Sequence, residues 1–199
     1  MYKNSNQAPN TKGMIISIVL SIALCLPACA QTRMADLIRT MPDSILPLLS
    51  KNDRLDFVDY LENNAQARLK NKLGSECEMT KLTIDYAHIQ MSRQSEVAMK
   101  LLNMPDSGQP VFCMVTTYKV DSLEDSRIQF FSCEWEQLPA SRFIDLPDTD
   151  DFIKLQLSDT STDLIVTRQT IGLLPEGEKR NNVPVTTVLS WNGQYRPTY

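Results

Sequence analysis

Helical and extended patterns occupy different parts of this chain, and that division constrains the fold more than any other feature. Before Gly74 apolar residues recur at helical spacing, and after it short runs rich in β-branched and aromatic residues are separated by turn formers. Such segregation predicts an α+β domain rather than alternating βαβ units. The expected architecture is a set of N-terminal helices, one of them long, packed on a largely antiparallel β-sheet of six to eight strands.

Pro42 stops a first short helix near Met41, and Ser44 caps a second whose Pro47 falls in the first turn, where a missing N–H costs little. Ser50 or Asn52 caps a third and longest helix that Gly74 ends. Asp53 and Asp56 lie near its positive end, and Lys70 and Lys72 near its negative end. At helical spacing Leu55, Val58, Leu61, Ala65 and Leu69 fall within an arc of about 120°, which Phe57 widens and Glu62 and Lys72 interrupt. Leu61 holds the centre of that arc and is expected at the helix–sheet interface.

The predicted strands are residues 78–83, 86–91, 97–102, 111–120, 126–135, 152–157, 163–168 and 185–191. Loops rich in Pro, Gly, Asn and Asp separate them at 103–110, 120–126 and 173–184. Asn192 and Gly193 suit a two-residue turn with positive φ at both positions, and Pro197 limits the last segment to a short edge strand. No repeat or low-complexity tract is present.

Lys3, Lys12 and the terminal amine precede an apolar run at 14–26. Its 13 residues reach only about 20 Å as helix, short of the roughly 30 Å hydrocarbon core of a bilayer. The run reads as the apolar part of an export signal. Two outcomes follow. Ala28 and Ala30 are the small residues that signal peptidase requires, giving a cut after Ala30 and a new terminus at Gln31. Alternatively, Leu26-Pro27-Ala28-Cys29 is a lipobox and Cys29 carries a lipid. Proline is uncommon there, and a polar tether ahead of the first helix is lacking. The expected organisation is therefore a signal peptide at 1–30 and one domain at 31–199, periplasmic or secreted, with a membrane-anchored lipoprotein as the alternative.

Taking Lys3 and Lys12 from the 20 basic residues leaves 18 against 24 acidic ones, a charge of −6. An acidic surface without a basic stripe argues against nucleic acid and against docking on anionic lipid. No later stretch is apolar enough to span a membrane.

Few residues carry chemistry. His88 is the only histidine, so a metal site built on several imidazoles is excluded, and no local signature marks a nucleophilic serine. The acidic run 145–152 fails the EF-hand pattern, because a loop starting at Asp148 has Phe152 and Ile153 at its fifth and sixth positions. It reads as a solvated turn. Asp53, Asp56 and Asp59 read as a helix face rather than an acid–base pair. No catalytic residue, metal ligand or cofactor is assigned. The segment 41–49, with Met41, Ile45, Leu46, Leu48 and Leu49, is apolar enough to be core or a surface that docks a partner or lipid. Trp135 and Trp191 stand at strand ends, where they pack in the core or line a groove.

With Cys25 and Cys29 in the signal, Cys77, Cys113 and Cys133 remain. A hairpin turning about Leu123 would set Cys113 directly across from Cys133, close enough for a disulfide in an oxidising compartment; a one-residue slip would send them to opposite faces. The alternative is buried thiols acting as small hydrophobes.

The stretch "DLIRTMPDSILPLLSKNDRLDFVDYLE", followed by "EMTKLT" and "DYAHIQM", resembles the exported Bacteroidales proteins grouped as domain-of-unknown-function family 3256. Its most specific element is Met-Pro-Asp-Ser-x-Leu-Pro from Met41 to Pro47. The resemblance implies an envelope or secreted location and an α+β domain, and supplies no catalytic residues. The expected role is a non-catalytic binding or structural module of the cell envelope for a protein, glycan or apolar ligand. A periplasmic hydrolase with an Asp/Ser site is the alternative.

Overall fold

Strand periodicity dominates the molecule. The computed structural model describes residues 32–147, 149, 151–169 and 184–198, so the expected signal segment with Cys29, Ala30 and Gln31 lies outside the described residues. Two short helices, α1 (Met34–Thr40) and α2 (Lys51–Glu62), come first. Seven strands follow in sequence: β1 (Ala67–Lys70), β2 (Glu76–Leu82), β3 (Tyr86–Ser92), β4 (Ser95–Asn103), β5 (Pro110–Val120), β6 (Leu123–Phe131) and β7 (Gln137–Leu138). They form one antiparallel meander in that order. A turn of 3-10 helix (Ala140–Arg142) leads to β8 (Phe152–Leu157), β9 (Leu164–Gln169), β10 (Val185–Trp191) and β11 (Tyr195–Pro197), which pair antiparallel in a separate four-stranded sheet.

Alternation along the central strands assigns the layers. On β5, Phe112 and Met114 join the core under the helices, while Val111, Cys113 and Val115 join the core against the second sheet. Adjacent residues of a strand point to opposite faces, so the seven-stranded sheet is buried on both sides. Helices cover one face and β8–β11 the other. The free edge of β8 is capped by side chains, since the N–H groups of Ile153 and Leu155 donate to Asp125 Oδ1 (3.1 Å) and Ser126 Oγ (3.0 Å).

The expected long helix is not formed. α2 starts where the sequence indicates, with a complete capping box: the Asp53 N–H donates to Ser50 Oγ (3.2 Å), and the Ser50 N–H donates to Asp53 Oδ2 (2.6 Å). It ends twelve residues after it starts, because Asn64 takes φ 56 and closes a Schellman motif. There the Ala65 N–H donates to the Tyr60 carbonyl (2.8 Å) and the Asn64 N–H to the Leu61 carbonyl (3.1 Å). Leu69, expected on the helix, belongs to β1, and Ala65 is exposed. Gly74 (φ 78) serves the β1–β2 turn instead.

The second predicted helix is also absent. Residues 43–49 make two tight turns, in which the Ile45 N–H donates to the Pro42 carbonyl (3.1 Å) and the Leu49 N–H to the Leu46 carbonyl (3.0 Å). Between Pro42 and the Ser50 cap there is too little chain to repay helix nucleation. At the C-terminus, Trp191 pairs with Tyr195, so residues 192–194 form a three-residue loop in which Gly193 alone takes positive φ.

Leu61 is only partly buried at the margin of the helix-side core, whereas Phe57 and Val58 are fully enclosed. Leu61→Ala is therefore expected to cost about 1 to 2 kcal/mol, below the range of a fully buried leucine. Chemical denaturation checks this, and a loss above 3 kcal/mol would place Leu61 deep in the core.

Candidate functional site

The segment 41–49 is the centre of the most specific sequence motif, and its geometry comes from a buried arginine. Arg54 on α2 is 1% exposed. Its guanidinium donates to the Leu49 carbonyl (2.9 Å), the Met41 carbonyl (2.6 Å) and Asp43 Oδ1 (2.7 Å). One side chain thus closes the loop on the helix at both ends. The Asp43 carboxyl is held below its ordinary range by the Arg54 hydrogen bond.

That closure sorts the apolar residues of the loop. Met41 and Leu49 point inward and are core rather than partner surface, while Leu46 is buried and also lines a cleft. Ile45 and Leu48 are half-buried and line the same cleft. The cleft, of about 560 Å³, lies between this loop and the helix-side face of β4–β7. Its floor carries Met114, Thr116, Arg127 and Gln129, with Tyr118 at the rim, 56% exposed. A second cleft of about 750 Å³ shares Leu48 and Ser95 with the first and extends beneath the β1–β2 turn, past Asn71, Gln90 and Arg93. Together they make one groove running across the strands.

Trp135 forms the far wall. Its ring lies 4.9 Å from Phe112 and 6.2 Å from Phe131 between centroids, and its Nε1–H donates to Thr40 Oγ1 at 3.4 Å. Its φ of 69 is unusual for a bulky residue. The strain is held by a five-residue turn in which the Ser132 N–H donates to the Glu136 carbonyl (2.9 Å). Trp191 has no part in the groove: it lies on the second sheet, stacked near Phe143, and donates to the Asn103 carbonyl (2.8 Å).

The other candidates are distributed away from the groove. His88 accepts or donates at Thr80 Oγ1 (2.7 Å) and faces Glu96 at 3.8 Å; burial pushes its pKa down. Glu96 continues into Lys119, Glu124 and Lys154, a ladder of ion pairs across β4, β5, β6 and β8. Asp53 is the capping-box residue, and Asp59 with Glu62 pairs with Arg39 of α1. Asp148 and Asp150 lie outside the described residues, and Asp151 pairs with Arg168 at 3.5 Å. Among the described residues no group of three His, Cys, Asp or Glu is placed to hold a metal.

The cysteine pairing does not form. The β5–β6 hairpin turns at Asp121–Ser122, and Cys113 lies opposite Phe130 rather than residue 133. The shift from the expected register is an odd number of residues, which reverses the alternation. Cys113 is enclosed between the sheets while Cys133 packs at the helix-side core, and both are free, as is Cys77. Burial raises all three thiols, Cys77 to about 11. Peptide mapping of native protein should recover three unmodified thiols, with Cys133 alkylated first; a Cys113–Cys133 peptide would refute the register.

Among comparisons with known proteins, curated sequences give no match. A solved structure of a domain of an uncharacterized protein from Porphyromonas gingivalis W83 is similar, with a TM-score of 0.65 and 25% identity over 83% of this chain and 97% of that one. The model of the family described as Protein of unknown function (DUF3256) matches residues 27–174, and those residues include the Arg54-anchored loop and every residue that lines the groove. The chain belongs to family DUF3256.

Proposed function

We propose that this protein is an exported, non-catalytic module of the cell envelope that binds its partner in the groove beneath residues 42–48. The observation that carries the reading is the cleft of about 560 Å³, a volume within the usual range of about 300 to 1,000 Å³ for ligand sites, walled by an anchored loop and a strained tryptophan. The electrostatics favour binding over hydrolysis. Glu78, which lines the second cleft, is held below its ordinary range by the Arg68 hydrogen bond, whereas a general acid needs a raised pKa. Among the described residues no helix is long and apolar enough to cross a membrane. Export rests on the sequence of residues 1–30, with cleavage after Ala30 preferred to lipid on Cys29.

Thr116→Trp, which fills the cleft floor, provides the test. In the native host, the wild-type protein should co-purify with an envelope component that the variant loses while keeping its unfolding midpoint. Equal recovery with both would overturn the cleft as the site. Intact mass of the same preparation reads the terminus: a chain starting at Gln31 supports soluble export, and a diacylglyceryl group on Cys29 replaces it with anchoring.

A further inference from the structure

We propose that the groove takes an acidic glycan, a chain of uronic acid residues lying across the strands, with Arg127 and Arg93 each receiving a carboxylate. This rests on the groove being the binding site. The molecule is acidic overall, with 24 Asp and Glu against 20 Lys and Arg, yet two arginines stand in this groove without an ion pair among the described residues. Arg68, the third arginine of the groove, is already bound to Glu78 at 2.8 Å. Arg127 lies on β6 in the first cleft and Arg93 at the β3–β4 turn in the second, and the two clefts meet at Leu48 and Ser95. Cations spaced along one continuous groove match a polymer with repeated charge.

Arg127 shares the first cleft with the neutral Gln129 and Thr116 and with no carboxylate, while the second cleft sets Gln90 and Ser92 beside Arg93 and also holds Glu76 and the Arg68-bound Glu78. That setting suits a singly charged planar carboxylate, which a guanidinium binds through two parallel hydrogen bonds, better than a doubly charged phosphate needing several cations. The amides and hydroxyls supply donors and acceptors for sugar hydroxyls, and the exposed Tyr118 ring offers an apolar face to sugar C–H groups.

Two other occupants fit less well. The floor strands β4 and β5 have ladder partners on both sides, so a ligand above them meets side chains and not free backbone groups. A peptide that adds as a strand needs a sheet edge, and the edge strands β1 and β7 line the groove only through Arg68 and Gln137. An acyl chain would bury Arg127, Gln129 and Thr116 without partners for their polar atoms, which is costly.

The test is calorimetric titration of the protein purified from its native envelope with tetragalacturonate, the neutral maltotetraose and the acidic peptide tetraglutamate. Tetragalacturonate should bind saturably, with affinity falling as salt rises, and maltotetraose and tetraglutamate should each bind at least tenfold more weakly. Arg127→Gln should weaken tetragalacturonate binding at least tenfold with an unchanged unfolding midpoint. Absence of tetragalacturonate binding, equal binding of either other probe, or an unaffected Arg127→Gln variant would each overturn the acidic-glycan assignment. The groove itself stands or falls separately on whether Thr116→Trp loses the envelope component.

Discussion

Arg54→Ala should be among the most damaging single substitutions in this protein, with an expected loss of about 3 to 5 kcal/mol. The cation is buried, and its removal orphans the Met41 and Leu49 carbonyls while leaving a cavity under the loop. Each enclosed carbonyl without a donor costs about 1 to 3 kcal/mol. Asp43 itself is well exposed, so its lost ion pair contributes less than the two carbonyls. Arg54→Lys should fall between wild type and alanine, because an ammonium cannot serve three acceptors through a planar fork. Urea denaturation decides it, and a loss under 1 kcal/mol for alanine would show that the loop is held by its apolar contacts alone.

The same contact has a pH signature of defined sign. The Asp43 carboxyl is depressed below its ordinary 3.8, first by the Arg54 hydrogen bond. A depressed carboxyl stabilises the folded state above its unfolded pKa, and the contribution disappears as pH falls through the folded value. The margin of wild type over Asp43→Asn should thus be constant near neutrality and shrink below pH about 4. A margin that grows on acidification would contradict the pairing.

Where local chemistry decided structure, the sequence was legible. The strands 152–157 and 185–191 are found at the residues their β-branched and apolar runs mark, and of the two caps the sequence offers, Ser50 and Asn52, the chain uses Ser50. Errors arose where one of several eligible residues is selected by tertiary packing. Asn64 and Gly74 both tolerate positive φ, and the chain uses Asn64 to stop the helix and Gly74 to turn a hairpin. The hairpin centre at Asp121–Ser122 rather than Leu123 was equally undetermined, and that small difference separated Cys113 from Cys133. Nothing local divides the strands between two sheets.

The site was half visible. The apolar content of 41–49 marked the right segment, but an arginine inside a helix reads as a solvated residue, so Arg54 was missed. Its position before Phe57 and Val58 at spacings of three and four was the available signal, since those three share one helical face. Arg127 and Gln129 were missed for a different reason. A strand with polar residues on one face looks half-solvated, and only the position of the 42–48 loop turns that face into a cleft.

Phe112→Ala is the second large effect expected, about 3 to 5 kcal/mol for emptying a fully enclosed aromatic site. Phe112 joins the helix-side core to the groove wall, with Phe131 at 6.3 Å and Trp135 at 4.9 Å in edge-to-face contacts. Trp135 keeps a left-handed backbone that costs roughly 1 to 3 kcal/mol, and the packing of its ring on Phe112 helps to offset that cost. Without the partner ring, the 132–136 turn should relax and the wall of the cleft should loosen with it. Phe112→Leu, which retains most of the volume, should lose less than Phe112→Ala, while Val120→Ala, at a 67% exposed position, should stay within about 0.5 kcal/mol of wild type. Denaturation gives the stability ranking, and near-ultraviolet circular dichroism reports the immobilised tryptophan. If Phe112→Ala costs under 1 kcal/mol, or leaves the tryptophan signal intact, the ring does not hold the wall and the groove owes its shape to the Arg54-anchored loop alone.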